Sequence, residues 1–322
     1  MKTKYSKYIS KLFFKQWIIG ICQENIQEIL RTKTFDPKIH WIDATSSEKF
    51  YADPFPISYK NGKLKILYEE YSYEKDYGTI SLMTIDKDFR PIDNKILLDT
   101  NSHLSYPFYY SENNKTYVFP ESADNDKLSC YEFSHEDESL VFMKDILDIP
   151  LYDSTILKYD NKYWIFGVTG RNSTSYKLAI FYSNNLLGPY KPHGGKNFYE
   201  GLDGIRPAGN IIEVDGFIYR PTQNCKNYYG ESITIKKVTE LNESNYSEEP
   251  FLTIKINKEK RSNANIRAIH TINVMGNLII VDGDHWTFSP LKQIKKFLRS
   301  QRNKKIKMKN NGSDFAEKMI LY

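Results

Sequence analysis

The chain alternates apolar and polar positions in short runs, and the runs come in pairs. In ADPFPISYKNGKLKILYEE, Ala52 to Glu70, two such runs flank Asn61-Gly62, a dipeptide that favours a two-residue hairpin turn. The figure returns as SYPFYYSENNKTYVFPES from Ser105, YDSTILKYDNKYWIFGVTG from Tyr152, IRPAGNIIEVDGFIYRPTQN from Ile205 and IHTINVMGNLIIVDGDHW from Ile269. Successive starts lie 53, 47, 53 and 64 residues apart. Several pairs are followed by a third alternating run, such as YGTISLMTID (Tyr77 to Asp86), LSCYEF (Leu128 to Phe133), YKLAIFYS (Tyr176 to Ser183) and YYGESITIKKV (Tyr228 to Val238).

Five units of about fifty residues, each with three or four strands, predict an all-β, five-bladed β-propeller. A β-sandwich of ten or more strands is the alternative, but it does not require the hairpin to recur in register. A helical lead-in is expected over residues 5–32. A second helix is expected in the tail, where Leu291, Ile294, Phe297 and Leu298 recur at helical spacing. The expected organisation is a lead-in at 1–45, a propeller at 46–290 and a basic helical tail at 291–322.

Composition refines this picture. With 25 Tyr and 18 Phe in 322 residues, the chain favours strands and can bury a large core. Cys22, Cys130 and Cys225 are widely spaced and form no CxxC pair, which fits a reducing compartment. The N-terminal apolar stretch, LFFKQWIIGI at 12–21, is interrupted by Lys15 and far shorter than the roughly 20 residues of a bilayer span. A cytoplasmic protein is the expectation. The net charge of +5 belongs to the tail, because residues 292–309 hold nine Lys and Arg and no acid, and the remainder balances 36 basic against 40 acidic groups. That excludes a body-wide nucleic-acid surface, so no nucleic-acid partner is expected. An amphipathic basic helix at 291–309 fits peripheral contact with the inner face of an anionic membrane.

In a propeller, the open ends of all the inner hairpins converge on one mouth of the central channel. That places Asp53, Glu69, Glu70, His103, Glu121, Asp153, Asp203, Arg206, Gln223, His270, Asp282 and Asp284 around one funnel. Burying so many ionisable groups is costly unless they bind or transform something. No close His pair suggests a metal site, and no cofactor is expected. Tyr51, Tyr106, Tyr229 and Trp286 stand nearby as candidates for stacking on sugar rings.

The motifs YADPF, HLSYPF, FPES, DST, NNLLGPYKPH, RPAGN, YRPTQN…YG and HTI…VDG together resemble one family over about residues 15–290. It is the N-terminal domain family named after plant glucosamine inositolphosphorylceramide transferase, which also occurs as stand-alone bacterial proteins. That family is similar in turn to the five-bladed arabinanase and fructosidase glycoside hydrolases. The resemblance implies that Asp53 takes the place of their blade-one Asp and Asp153 that of their second Asp. Where those enzymes begin blade four with an acidic Glu, this chain has IRPAG with Arg206, a departure that argues against simple hydrolysis.

Glycosyl transfer and hydrolysis both need a carboxylate as base or nucleophile and a means of stabilising the leaving group. Asp53 is the candidate for the first role, Glu121 and Glu231 for the second, and Asp153 for orienting a partner. Arg206 offers a rigid fork for the phosphate of an activated donor. His103, Asp203, Gln223, His270 and Asp282 are candidate substrate contacts. The expected function is a glycosyltransferase of cell-surface polysaccharide or glycolipid synthesis, with a nucleotide- or lipid-phosphate-linked sugar donor and a glycan acceptor. The alternatives are an arabinanase-like glycoside hydrolase and a non-catalytic glycan-binding propeller.

Overall fold

The hairpin turns that punctuate the sequence need backbone conformations that Asn, Asp and Gly tolerate best. Asn61-Gly62, Asn113-Asn114, Asp160-Asn161 and Asp215-Gly216 all adopt positive φ at both residues, between 50° and 76°. Two left-handed residues match the twist of the flanking strands and fix the register of each hairpin. The computed structural model describes residues 13–42, 46, 48–170, 176–195, 203–257, 259 and 265–288.

The described residues open with β1 (Phe13–Gln23), a short helix α1 (Ile26–Thr32) and β2 (His40–Ile42). Blade one is β3 (Lys49–Lys60), β4 (Lys63–Ser72), β5 (Tyr77–Ile85) and β6 (Pro91–Leu98). Blade two is β7 (Ser105–Glu112), β8 (Lys115–Glu121), β9 (Leu128–Ser134) and β10 (Ser139–Leu147). Blade three is β11 (Tyr152–Tyr159), β12 (Lys162–Thr169), β13 (Lys177–Ser183) and β14 (Lys191–Pro192). Blade four runs from β15 (Asp203–Pro207) and β16 (Ile212–Val214) through β17 (Phe217–Asn224) and β18 (Ser232–Leu241) to β19 (Tyr246–Ile254). Blade five joins β20 (Ile266–Ala268), β21 (Ile272–Met275) and β22 (Leu278–Phe288) to β1 and β2 from the other end of the chain. The architecture is a five-bladed propeller of separate antiparallel sheets, not the two facing sheets of a sandwich.

The opening segment departs from expectation. It is a strand in its apolar half, and only α1, capped by the Asn25 side chain on the Gln27 N–H, is helical. Trp17, Ile18, Ile19, Ile21 and Cys22 are all buried, so both faces of β1 are covered. An α-helix on a surface would expose one face of such a run, whereas a strand inside a blade hides both. β1 lies beside β22 and closes the ring, so residues placed in a separate lead-in belong to blade five. The expected tail helix at 291–322 lies outside the described residues. Among the described residues, no helix is long and apolar enough to cross a membrane.

The core lies between blades. Leu67, Ile80 and Phe55 of blade one meet Phe108, Phe119 and Cys130 of blade two. Trp164, Phe166 and Ile180 of blade three meet Ile205 and Ile218 of blade four, and Ile19, Ile21 and Ile42 meet Ile66 and Tyr68 across the seam between blades five and one. Each such buried side chain contributes about 1.5–3 kcal/mol, which fixes neighbouring blades as wedges around the channel.

Candidate active site

Three inner strands begin with the same distortion. Pairing slips between Ala52 and Phe55, between Ser105 and Phe108, and between Tyr152 and Thr155, so each strand carries a bulge. At its centre stand Asp53, Tyr106 and Asp153, with φ of 50°, 42° and 50°. Left-handed backbone is unfavourable for such residues and persists only where the surroundings enforce it. A bulge also leaves an N–H without its ladder partner, and here carboxylates of the preceding blade supply one. The Asp53 N–H donates to Asp282 Oδ2 at 3.1 Å, and the Asp153 N–H donates to Glu121 Oε2 at 3.3 Å. Tyr106 is held instead through its hydroxyl, which accepts the Gly209 N–H at 2.6 Å and lies 2.9 Å from Thr155 Oγ1.

Around Asp153 the charges are matched. Arg206 donates through Nε to Oδ2 and through Nη2 to Oδ1 at 3.1 Å, and Gln223 Nε2 donates to Oδ2 at 2.7 Å. Burial alone would raise the Asp153 carboxyl, but Arg206 overcomes it and holds the group below the ordinary aspartate value. Glu121 stands beside this pair, 3.5 Å from Arg206 Nη2. Burial, then the charge of Asp153, push its carboxyl well above the ordinary glutamate value in spite of Arg206. One anion and one proton-holding acid therefore sit side by side, divided by which of them the guanidinium grips. Arg206 Nη1 has no hydrogen-bond partner among the described residues, and the guanidinium lies over Tyr152 at 5.8 Å and Tyr229 at 5.6 Å.

Asp53 occupies the other side of the cluster. Thr271 Oγ1 donates to its Oδ1 at 2.6 Å, and His270 Nε2 lies 3.9 Å from the same oxygen. Burial pushes the Asp53 carboxyl up to about 6; His270 opposes this, while Asp153 and Asp282 reinforce it. Asp53, His270 and Asp282 bring ligand atoms within 4.8 Å of one another, the spacing of a metal cluster. Yet Asp282 already accepts the N–H groups of Asp53, His270 and Thr271 and lies 2.5 Å from His270 Nδ1. These bonds occupy the lone pairs a cation would need, so the trio fits a hydrogen-bonded triad better than a metal centre.

Glu69, opposite Ala52 in the blade-one ladder, joins the buried cluster. Burial, then the charges of Asp53, Glu121, Asp153 and Asp282, push its carboxyl well above the ordinary value. His103 accepts the Gly78 N–H on Nδ1 at 3.0 Å, which leaves the proton on Nε2, 3.9 Å from Glu69 Oε1. Glu70 alternates to the other face of β4 and is consumed by Lys49, Tyr68 and Asn94. Glu231 bonds Asn227 Nδ2 at 2.8 Å and pairs with Lys255 at 3.7 Å, with no bond to the channel carboxylates among the described residues. Asp203 begins β15 opposite Asn224, and its side chain lies outside the described residues. Asp284 is fully buried and pairs with Arg267 at 3.1 Å.

Of the aromatics expected to stack on sugars, Tyr51 and Tyr106 are buried, Tyr51 against Tyr68 and Tyr106 against Phe55. Their rings are committed to packing. Tyr229 and Trp286 are exposed. Sequence reasoning missed the structural parts of the site. Tyr106 was legible as a third member, since YPF at 106–108 repeats DPF at 53–55. The stacking of Trp17 on His270, with centroids 3.9 Å apart, carried no signal, and Thr271 stood in the motif HTI without its bond to Asp53 being legible. Arg220 lies in the motif YRPTQN, but its role was not legible: it donates to the carbonyls of Ile205 and Gly204 at 3.0 and 3.3 Å and so braces the backbone just before Arg206.

A ring of five blades with ionisable groups buried at the inner-strand starts defines a class, the five-bladed propellers. Solved structures share that fold. A family 117 glycoside hydrolase of Zobellia galactanivorans matches with a TM-score of 0.52 at 12% identity, over 87% of this chain and 92% of its own. A family 43 β-1,3-galactosidase with galactodeoxynojirimycin matches with a TM-score of 0.50 at 11% identity, over 66% of this chain and 82% of its own. At such identities the likeness shows the fold alone. The chain belongs to the family described as glucosamine inositolphosphorylceramide transferase 1, N-terminal, which it matches over residues 39–284. Curated relatives named glucosamine inositolphosphorylceramide transferase 1 are 34% identical in Arabidopsis thaliana over 75% of this chain and 29% identical in japonica rice over 73%. The matched region is 33% of the length of each of those relatives.

Proposed function

We propose that the protein is a glycosyltransferase that acts on a phosphate-activated sugar donor in the synthesis of a cell-surface polysaccharide or glycolipid. The observation that carries this reading is the division of proton states in the mouth. Arg206 and Gln223 favour the Asp153 carboxylate, burial and Asp153 push the Glu121 carboxyl well above the ordinary value, and Asp53 is pushed up to about 6. Such a set performs acid–base chemistry at one bond. Asp53 takes the proton from the acceptor hydroxyl, and Glu121 gives its proton to the leaving oxygen. Arg206 keeps Nη1 for the departing phosphate while Asp153 holds the guanidinium in place.

Transfer is favoured over hydrolysis by family membership, since the relatives are named as transferases, although only a third of their length is matched. Their name makes glucosamine the first sugar to try in the donor. The hydrolytic alternative draws on the same carboxyl groups. We further place the protein in the cytoplasm, with the basic segment 291–309 against an anionic membrane; composition and charge support that placement. The test is titration with nucleotide-linked and lipid-phosphate-linked sugars, reading chemical shifts at Arg206. Saturable binding that Arg206→Gln abolishes is expected. Absence of binding to every such donor, together with release of sugar from aryl glycosides, would replace transfer by hydrolysis.

A further inference from the structure

His270 and Asp282 are built as a support for Asp53. Asp282 is completely buried on β22 and accepts the backbone N–H groups of His270 at 3.0 Å, Thr271 at 2.9 Å and Asp53 at 3.1 Å. With three N–H donors already on the carboxylate, the 2.5 Å approach of His270 Nδ1 makes that nitrogen the donor. Nε2 is left facing Asp53 Oδ1. The ring cannot easily turn, because Trp17 stacks on it at an interplanar angle of 10° and Tyr229 meets it edge-on with centroids 5.2 Å apart. Gly230 keeps this packing tight: a Cβ there would stand 2.7 Å from the Trp17 ring and 3.1 Å from His270 Cβ.

We propose that Asp282 and His270 are positioning residues of the base: Asp282 fixes the imidazole so that Nε2 faces Asp53, and the proton state of His270 sets how readily Asp53 gives up its proton. This deepens the reading of Asp53 as a base and rests on it. The arrangement follows the logic by which a buried carboxylate orients an imidazole toward a reacting group, here with an Asp as that group. An imidazolium at Nε2 favours the Asp53 carboxylate, and a neutral ring does not. The other titratable groups around the pair are Asp282 from β22, Tyr229 from the loop before β18, Glu69 from β4, Tyr106 from β7, Glu121 from β8 and Asp153 from β11. The acidic neighbours all disfavour the Asp53 carboxylate, and His270, when protonated, is the group of blade five that counters them.

The test uses nitrogen-detected histidine NMR and carboxyl carbon titration on the full chain, with His270→Gln and Asp53→Asn to assign the signals. The wild type is expected to show His270 protonated on Nδ1, with a strongly downfield proton that His270→Gln removes. Asp53 is expected to titrate roughly one unit or more higher in His270→Gln. Asp282→Asn should also lose the downfield proton, but it disturbs three backbone bonds; His270→Gln leaves those bonds in place and carries the test alone. A neutral His270 protonated on Nε2, or an Asp53 titration unchanged in a folded His270→Gln, would overturn the proposal. Neither readout uses a sugar donor, so failure to bind donors would sink the transfer reading and leave this result standing.

Discussion

Two regions of this propeller bury several charges each, and they do so in opposite ways. In blade four, Glu248 accepts both arms of Arg220 at 2.8 and 2.6 Å, Lys236 at 2.9 Å and the Tyr246 hydroxyl at 2.5 Å. Burial would raise the Glu248 carboxyl, but Arg220 and Lys236 overcome it and hold it at about 2. In the mouth, Arg206 pairs with Asp153 and lies 3.5 Å from Glu121, and burial prevails at Asp53, Glu69 and Glu121. The matched cluster is a brace and the mismatched one is poised for chemistry, because only groups left near their titration point exchange protons at neutral pH.

The sharpest way to break this comparison is to unmatch the brace. Arg220→Met takes both guanidinium bonds from the buried Glu248 carboxylate, leaving it Lys236 and the Tyr246 hydroxyl, and is expected to destabilise the fold by about 3 kcal/mol in urea melts. Arg220→Met/Glu248→Met should recover part of that loss, because it removes the buried guanidinium and carboxylate together and leaves Lys236 to be resolvated. If the double variant is no better than the single one, the cluster is not a closed ion pair.

Asp53→Asn should act in the other direction. The folded-state value near 6 exceeds the ordinary 3.8, so above pH 6 the ionised group opposes folding, and the opposition fades as pH falls toward 4. The substitution is expected to stabilise the protein by about 3 kcal/mol at pH 8 and by little at pH 4, while transfer falls by about 10²–10⁴-fold. Glu248 has the opposite sign, since its stabilisation is complete above 4.5 and is lost as pH falls toward 2. Melts across pH in Asp53→Asn and Arg220→Met/Glu248→Met would separate the two contributions. A pH-independent gain in Asp53→Asn would refute the burial of its charge.

The smallest expected effect comes from Gly78→Ala. A Cβ there would stand 2.5 Å from the Leu104 carbonyl and 2.7 Å from Glu69 Oε1, so Glu69 must move. A loss of about 1–3 kcal/mol is expected. The His103 signal should shift with it, since His103 takes the Gly78 N–H. An unshifted His103 would show that the two groups do not share a wall of the mouth.

The hairpin at 52–70 shows how far the sequence reads. Its turn, its repetition and the placement of Asp53 at a blade start follow from alternation and turn chemistry, which are local properties. Glu69 and Glu70 show where reading stops. They are adjacent carboxylates at one strand end, and strand alternation sends the first into the acidic cluster and the second to Lys49. Which of the two faces the channel depends on the ladder register, which the bulge between Ala52 and Phe55 resets. The opening strand was misread for a related reason. An apolar run does not declare whether one face or both will be covered, and closure of the ring covered both.

The five repeats, the turns between their strands and the family are written in the residue order, because each rests on short-range pattern or on motifs in fixed order. The division of labour among the carboxyl groups arises from folding. Proton affinity in a buried site depends on distances between residues as far apart in the chain as Asp53 and Asp282, Glu121 and Arg206, and those distances exist only once the blades close into a ring.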